Sequence, residues 1–491
     1  MYGGLLKSAS ALAIVAAAGL YGASPASAAD LGGDCCADLE ERVAELEATT
    51  ARKGNRKVSL TISGQISTQL MFWDDGIRSD VYVSGPTQSN SRWRMTGSAK
   101  ISPEVSAGFL YEFEAFASNS SGQNQLNGDG MTVNGTAGDD VGGTGHNLRE
   151  AMAWVEHSRL GRVSMGHGST AANNIILIDL SGKGMAASND VRLHSSGFRL
   201  NGFPPGTTNP DGYASTSATA GGTWGAFFQG SSGDWLNERN EHIQYRTPTI
   251  AGFTLGASFG EDNYWDVALR YAGEFNGVRI AGGIGYSVRS EYDATATAAA
   301  ATAPAAAIPT VASGGLFCNI NCSKELEQLA GSLSIRHMPT GLFFTGAAGH
   351  RDVNDAQVVI NSSAPGAGLA GTISAPFDYE SSFFYLSGGI ARNFFGLGDT
   401  VLYGEYSQWK GTAQDTAIHN FGSGAAPDFV FGGPDDKLKH WGVGLVQHVD
   451  AAAMEFWLAY KNYSLDAPSL DARGVSPDDL HLFFAGTRIR F

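Results

Sequence analysis

The chain has 491 residues, of which 65 are glycine and only 16 % are charged, against about 25 % in typical soluble domains. Its formal net charge of −16 repels polyanions and argues against nucleic acid as a partner. Beyond the N-terminus no apolar run reaches the roughly 20 residues a membrane helix needs, and so much glycine disfavours long helices altogether.

Residues 1–28 have the organisation of a secretory signal peptide: Lys7, then an apolar stretch over Ser8–Leu20, then the small-residue cleavage pattern Ala26-Ser27-Ala28. Export follows, with a mature chain beginning Ala29-Asp30-Leu31. In an oxidising compartment Cys318 and Cys322 can close a small disulfide loop. Their spacing also occurs in zinc sites, but no histidine pair follows at ligand spacing, so no metal and no cofactor is expected. Adjacent cysteines bridge each other poorly, which leaves Cys35 and Cys36 open to bonds between subunits.

Residues 36–52 form the one convincing helical segment, with Leu39, Val43 and Leu46 on a single stripe. It is too short to stand alone as a coiled coil. Two readings stay open: a small periplasmic oligomerisation helix, or a solvated helix packed on the rest of the chain.

From Val58 onward the pattern changes to period two. Leu60, Ile62, Ile66, Leu70 and Phe72 share one face of the first run, while Ser59, Thr61, Ser63, Gln65, Ser67 and Gln69 share the other. Equivalent runs recur, and the count is sixteen strands: 58–73, 91–101, 104–117, 147–158, 161–168, 239–248, 252–260, 264–274, 277–290, 325–338, 341–352, 379–394, 399–411, 437–450, 452–464 and 479–491. Short turns such as 102–103, 159–160, 275–276, 339–340 and 395–398 alternate with long insertions at 118–146, 291–324, 353–378 and 412–436. The tract 294–312 is of low complexity. The segment 169–238 is far too long for a structureless connection unless it has a task.

Alternation alone does not say which face points inward. The strands are long, glycine is frequent on the polar face (Gly283 and Gly285, Gly442 and Gly444), and the last residue is the aromatic Phe491. These features favour an all-β, 16-stranded antiparallel transmembrane β-barrel over residues 58–491, preceded by the signal 1–28 and by a 29–57 segment carrying the short periplasmic helix. A plugged structural or adhesin-type barrel and a secreted soluble β-protein are the competing readings.

Chemical motifs do not suggest an enzyme. Gly256-Ala257-Ser258-Phe259-Gly260 matches a nucleophile elbow in letters, but it lies inside an alternating strand with no helix after it. Gly182-Lys183-Gly184 lacks the hydroxyl residue of a phosphate loop. Asp129-Gly130 and Asp139-Asp140 form a single irregular acidic stretch without a calcium repeat. His440, His448 and His481 are expected to be lumen or interface residues.

The opening 28–65, the passage 160–170 followed after the long insertion by 239–262, and the ending Phe483-Phe484-Ala485-Gly486-Thr487-Arg488-Ile489-Arg490-Phe491 together resemble alphaproteobacterial general porins of the Omp2 type. The resemblance implies a water-filled channel of the cell outer membrane for passive diffusion of ions and small hydrophilic solutes, a homotrimer surrounded by outer-membrane lipid and lipopolysaccharide. It implies that 169–238 is a constriction loop folded into the lumen, offering Asp179, Asp190 and Asp211. The facing wall would be basic, with Arg92, Arg94, Lys100, Arg149 and Arg246 pointing inward, since opposed charges in a narrow pore bias which ions pass. It further implies that Phe483, Ile489 and Phe491 are read by the barrel assembly machinery, and that Ala29-Asp30 contacts peptidoglycan.

Overall fold

The computed structural model describes residues 58–491 apart from 117, 129, 131–144, 189, 203–211, 214–222, 228–234, 237–238, 262, 291–324, 357–376, 412–434 and 472–473. The signal 1–28, the helix 36–52, all four cysteines and Asp211 lie outside the described residues. Among the described residues every long alternating run is a strand, and the strands form one antiparallel sheet that closes on itself.

In chain order the strands are β1 (Ser59–Asp74), β2 (Ser79–Ser84), β3 (Arg92–Lys100), β4 (Val105–Phe116), β5 (Gly145–His157), β6 (Gly161–Ser169), β7 (Arg239–Arg246), β8 (Phe253–Gly260) and β9 (Trp265–Phe275). Then follow β10 (Val278–Ser290), β11 (Glu325–His337), β12 (Leu342–Ala356), β13 (Phe377–Arg392), β14 (Thr400–Lys410), β15 (Lys437–Val449), β16 (Met454–Asp466) and β17 (Leu480–Arg490). One edge of β1 pairs with β17, from Gln65 opposite Arg490 to Asp74 opposite His481. Its other edge is shared: β3 covers Ser59 to Gln65 and β2 covers Gln69 to Asp74. β2 and β3 are therefore two pieces of one barrel strand, and the seventeen segments close a sixteen-stranded barrel.

The interruption has a local cause. Pro86 carries no N–H for the ladder, and the chain turns through a short 3-10 segment at Thr87–Ser89. The gap is closed by side chains: Gln65 Nε2 donates to Ser89 Oγ at 2.7 Å and Ser67 Oγ donates to Ser89 O at 2.7 Å. The sixteen expected spans all correspond to strands, within a few residues at their ends. The piece the alternation missed is β2, six residues beside a Gly-Pro.

Burial settles which face is inside. In β1 Gln65, Ser67 and Gln69 are 8 %, 4 % and 2 % exposed, whereas Ile62 and Ile66 are 59 % and 64 % exposed. The same inversion recurs around the barrel, with Val83, Met165, Phe259 and Phe344 outward. A continuous apolar exterior of this extent belongs in hydrocarbon, not water. No described helix is long and apolar enough to cross a membrane; the strands do it.

The segment between β6 and β7 enters the barrel. Its described residues Ala172, Ile175, Ile176, Met185, Phe198, Leu200, Trp224 and Trp235 are buried with Met71, Trp73, Phe383 and Trp409 of the wall. Backbone groups that leave the sheet ladder must find partners, and wall side chains supply them. Ala171 N donates to Ser258 Oγ at 2.7 Å, Ala172 N donates to Asp266 Oδ2 at 2.8 Å, and Ser332 Oγ donates to Ile175 O at 2.6 Å. Ser258, the residue of the elbow-like motif, is thus an anchor for this loop. The wall is also hollowed to receive it: a Cβ built on Gly283 would lie 2.6 Å from Ile175 Cδ1. Gly283→Leu should therefore unseat the loop, costing about 1–3 kcal/mol by overpacking and raising single-channel conductance in a planar bilayer. A Gly283→Leu barrel with unchanged conductance and heat resistance would sink this account of the seat.

Candidate pore site

The strand register brings the basic and acidic side chains of β3, β4 and β5 onto one patch of the inner wall. Arg92 lies opposite Glu114 and Arg94 opposite Glu112 across the β3–β4 ladder. The β4–β5 ladder then shifts between Glu112, opposite Glu150, and Phe113, opposite Leu148. Arg149 is the extra residue of this bulge. A bulge re-aims the side chain it inserts, and here consecutive residues Arg149 and Glu150 both face inward.

Glu112 is the centre of the patch. Its Oε1 accepts from Arg92 Nη1 at 3.2 Å and from Arg149 Nε at 2.9 Å, and its Oε2 accepts from Arg94 Nε at 2.7 Å. Arg149 also pairs with Glu114. Three guanidiniums thus share two carboxylates. Such charge-assisted contacts hold the arginine planes in place as a fixed grid of donors.

Below this patch, toward the short turns, lies an open cavity of about 450 Å³ against β1 and β3 to β7, lined by Arg94, Arg162, Arg246, Glu150, Met152 and Trp154 among others. The described residues of the segment from β6 to β7 are seated on β8 to β17 and on Met71 and Trp73 of β1, whereas the cavity lies against the β3–β7 side of the wall. One half is a packed core and the other is space bounded by arginines.

Of the residues expected at the pore, Arg92, Arg94 and Arg149 are brought together, and Arg94 and Arg246 line the cavity. Lys100 ends β3 at the short-turn end and is exposed. Asp179 lies on the far side. Its carboxylate meets Lys183 Nζ at 3.2 Å and accepts from Thr345 Oγ1 at 3.0 Å on β12. Burial acts to raise its pKa, but Lys183 and the hydroxyls of Ser181 and Thr345 outweigh that and leave it below its ordinary value. Asp190 is 5 % exposed. Arg162, Glu112, Glu114 and Glu150 were not singled out from the sequence, although they complete the patch.

The three histidines sit in different surroundings, His481 on the same outward row of β17 as Phe483. His440 is wholly buried in the lumen, 3.5 Å from Glu405. His448 contacts Glu455 and the Gly182 carbonyl, and His481 contacts Tyr460. Phe483, Ile489 and Phe491 are on the outer surface, 41 %, 44 % and 64 % exposed. Phe491 continues the β17 ladder, exchanging backbone hydrogen bonds of 2.8 and 3.0 Å with Gly64.

The family model for the Gram-negative porin matches residues 9–316. The chain belongs to the Gram-negative porins. Such a porin is an outer-membrane channel for passive diffusion, which is what the apolar exterior and polar lumen wall provide. No curated protein matches the chain. Among solved structures the porin is similar to an anion-selective porin from Comamonas acidovorans, at 14 % identity over 88 % of this chain and 100 % of that one, with a TM-score of 0.47. It is similar to the loop L8 deletion mutant of OmpT, an outer membrane protein of Vibrio cholerae, at 10 % identity over 89 % and 100 % of the two chains, TM-score 0.47. It is also similar to Salmonella typhi OmpF in complex with daunomycin, at 13 % identity over 89 % and 98 %, TM-score 0.43.

Proposed function

We propose that solutes cross this porin along the β3–β7 wall and that the path favours anions. The supporting observation is the cavity lining: Arg94, answered by Glu112, Arg162, answered by Glu156, and Arg246, which has no ion pair among the described residues, with Glu150 as the lining carboxylate. The formal charge of −16 belongs to the whole chain and does not locate the field along the path. Charges beside a confined path set the local potential. Asp179, Asp190 and Asp211 of the segment 169–238 would oppose the basic wall across the lumen. Asp179, already engaged with Lys183, would add least to that field.

In a planar bilayer with a salt gradient, the reversal potential should carry the sign of anion preference. A cation-selective reversal potential would overturn the proposed path.

Further assignments accompany this reading. The ends 28–65 and 483–491 support placement among alphaproteobacterial general porins. A homotrimer in outer-membrane lipid and lipopolysaccharide fits the family, as does the absence of an enzymatic role. The outward row Phe483, Ile489 and Phe491 is suited to recognition by the barrel assembly machinery. The N-terminal segment, through Ala29-Asp30, is the candidate contact with peptidoglycan, and Cys318 with Cys322 the candidate disulfide.

A further inference from the structure

The open half of the lumen is not lined by charge alone. On β4 and β5 the inward residues below Glu112 and Glu150 are Leu110, opposite Met152, and Gly108, opposite Trp154. A Cβ on Gly108 would collide with the Trp154 ring, so the bare glycine is what lets the indole lie along the wall. Trp154 is in turn opposite Ser164 on β6, and Arg162 is opposite Arg246 on β7. The Arg162 guanidinium sits 4.3 Å from the Trp154 ring centroid and donates through Nε to Glu156 at 2.9 Å. Arg246, partly buried on the same cavity wall, has no ion-pair partner among the described residues.

The cavity therefore offers two unlike things side by side. One is an apolar shelf of Leu110, Met152 and Trp154. The other is a cation without an ion pair among the described residues, Arg246, next to Arg162, which Glu156 already answers. A small inorganic anion answers Arg246 but leaves the shelf wetted. A neutral ring covers the shelf but leaves Arg246 without a counter-charge. A carboxylate on a flat apolar body answers both, and about 450 Å³ is within the usual range for a small-molecule site.

We propose that this part of the lumen is a transient binding site for carboxylates carried on a flat apolar body, of which a one-ring aromatic acid is the simplest. The site rests on the solute path assigned above. Its binding is weak by design of any channel, because a bound solute must leave.

The test uses the full porin in a planar bilayer, with chloride current read as benzoate, acetate or benzyl alcohol is added. Benzoate should reduce the current at a concentration roughly tenfold below that of acetate, the ring adding its burial and stacking to the charge. Benzyl alcohol, ring without charge, should match neither. Trp154→Phe should keep the benzoate effect and Trp154→Ala should lose it. Equal effects of benzoate and acetate on the unmodified porin would overturn the site, whether or not either variant folds. The two proposals separate cleanly: the reversal potential without added acid tests the path, and the benzoate-to-acetate ratio tests the site.

Discussion

Lys461→Met should lower the stability of the folded barrel by about 3–5 kcal/mol, the usual cost of removing one partner from a buried ion pair. Lys461 Nζ meets Glu405 Oε1 at 2.6 Å, and the side chains are 1 % and 0 % exposed. Glu405 Oε2 also accepts from Tyr385 Oη at 2.6 Å. The two charges stand on β16 and β14, with Gly442 of β15 between them. A Cβ on Gly442 would lie 2.8 Å from Glu405 Oε1, so the glycine leaves the lane through which the pair is made. With Lys461 gone, the buried Glu405 loses its cation and is left with one phenol and one imidazole beside it. The expected readout is a fall in the temperature at which the folded band converts to the unfolded band on a gel. Adding Glu405→Gln to Lys461→Met should restore much of the loss. An unchanged transition in the single variant would show that the pair holds nothing together.

Glu112→Gln should shift ion preference further toward anions, roughly fivefold in permeability ratio. A unit charge about 4 Å from an ion is worth about 1 kcal/mol even at the dielectric constant of water. The substitution keeps the shape and an acceptor oxygen, but it removes the carboxylate that Arg92, Arg94 and Arg149 share. Glu114 still answers Arg149, so Arg92 and Arg94 become the exposed charge. The measurement is the reversal potential of single channels in asymmetric potassium chloride, compared at low and high salt, since screening shrinks the effect. A reversal potential identical to that of the unmodified porin would place the ion path away from this patch.

Much of the barrel is legible in the residues because period two is a property of each strand by itself. Gln65, Ser67 and Gln69 against Ile62 and Ile66 can be read without knowing any neighbour. Orientation cannot, because either face of that pattern could be the inside. The pore patch was half legible. Arg92 and Arg94 stand out on one strand, but their partners depend on pairing. The turn after Lys100 is short, and counting back from it places Glu112 and Glu114 opposite the two arginines. Arg149 is different in kind. Strict alternation cannot put both Arg149 and Glu150 inward, and only the bulge between Glu112 and Phe113 does so. The glycines at 283 and 442 were visible as polar-face residues, but their meaning lies in what approaches them from another part of the chain.

The seam between β1 and β17 has a consequence in time. Gln65 and Arg488 touch although they are 423 residues apart in sequence, whereas every other neighbouring pair of strands in the ring is joined by a single connection. Loop-closure entropy makes such distant pairings slow relative to hairpins. The ring should accordingly zip hairpin by hairpin and close last between its first and last strands. Until then β1 and β17 are two long unpaired edges flanked by Ile66, Phe72, Phe483 and Ile489. Bare edges of that composition are templates for pairing with another molecule. The vulnerable moment in the life of this porin is thus the interval before its final strand docks.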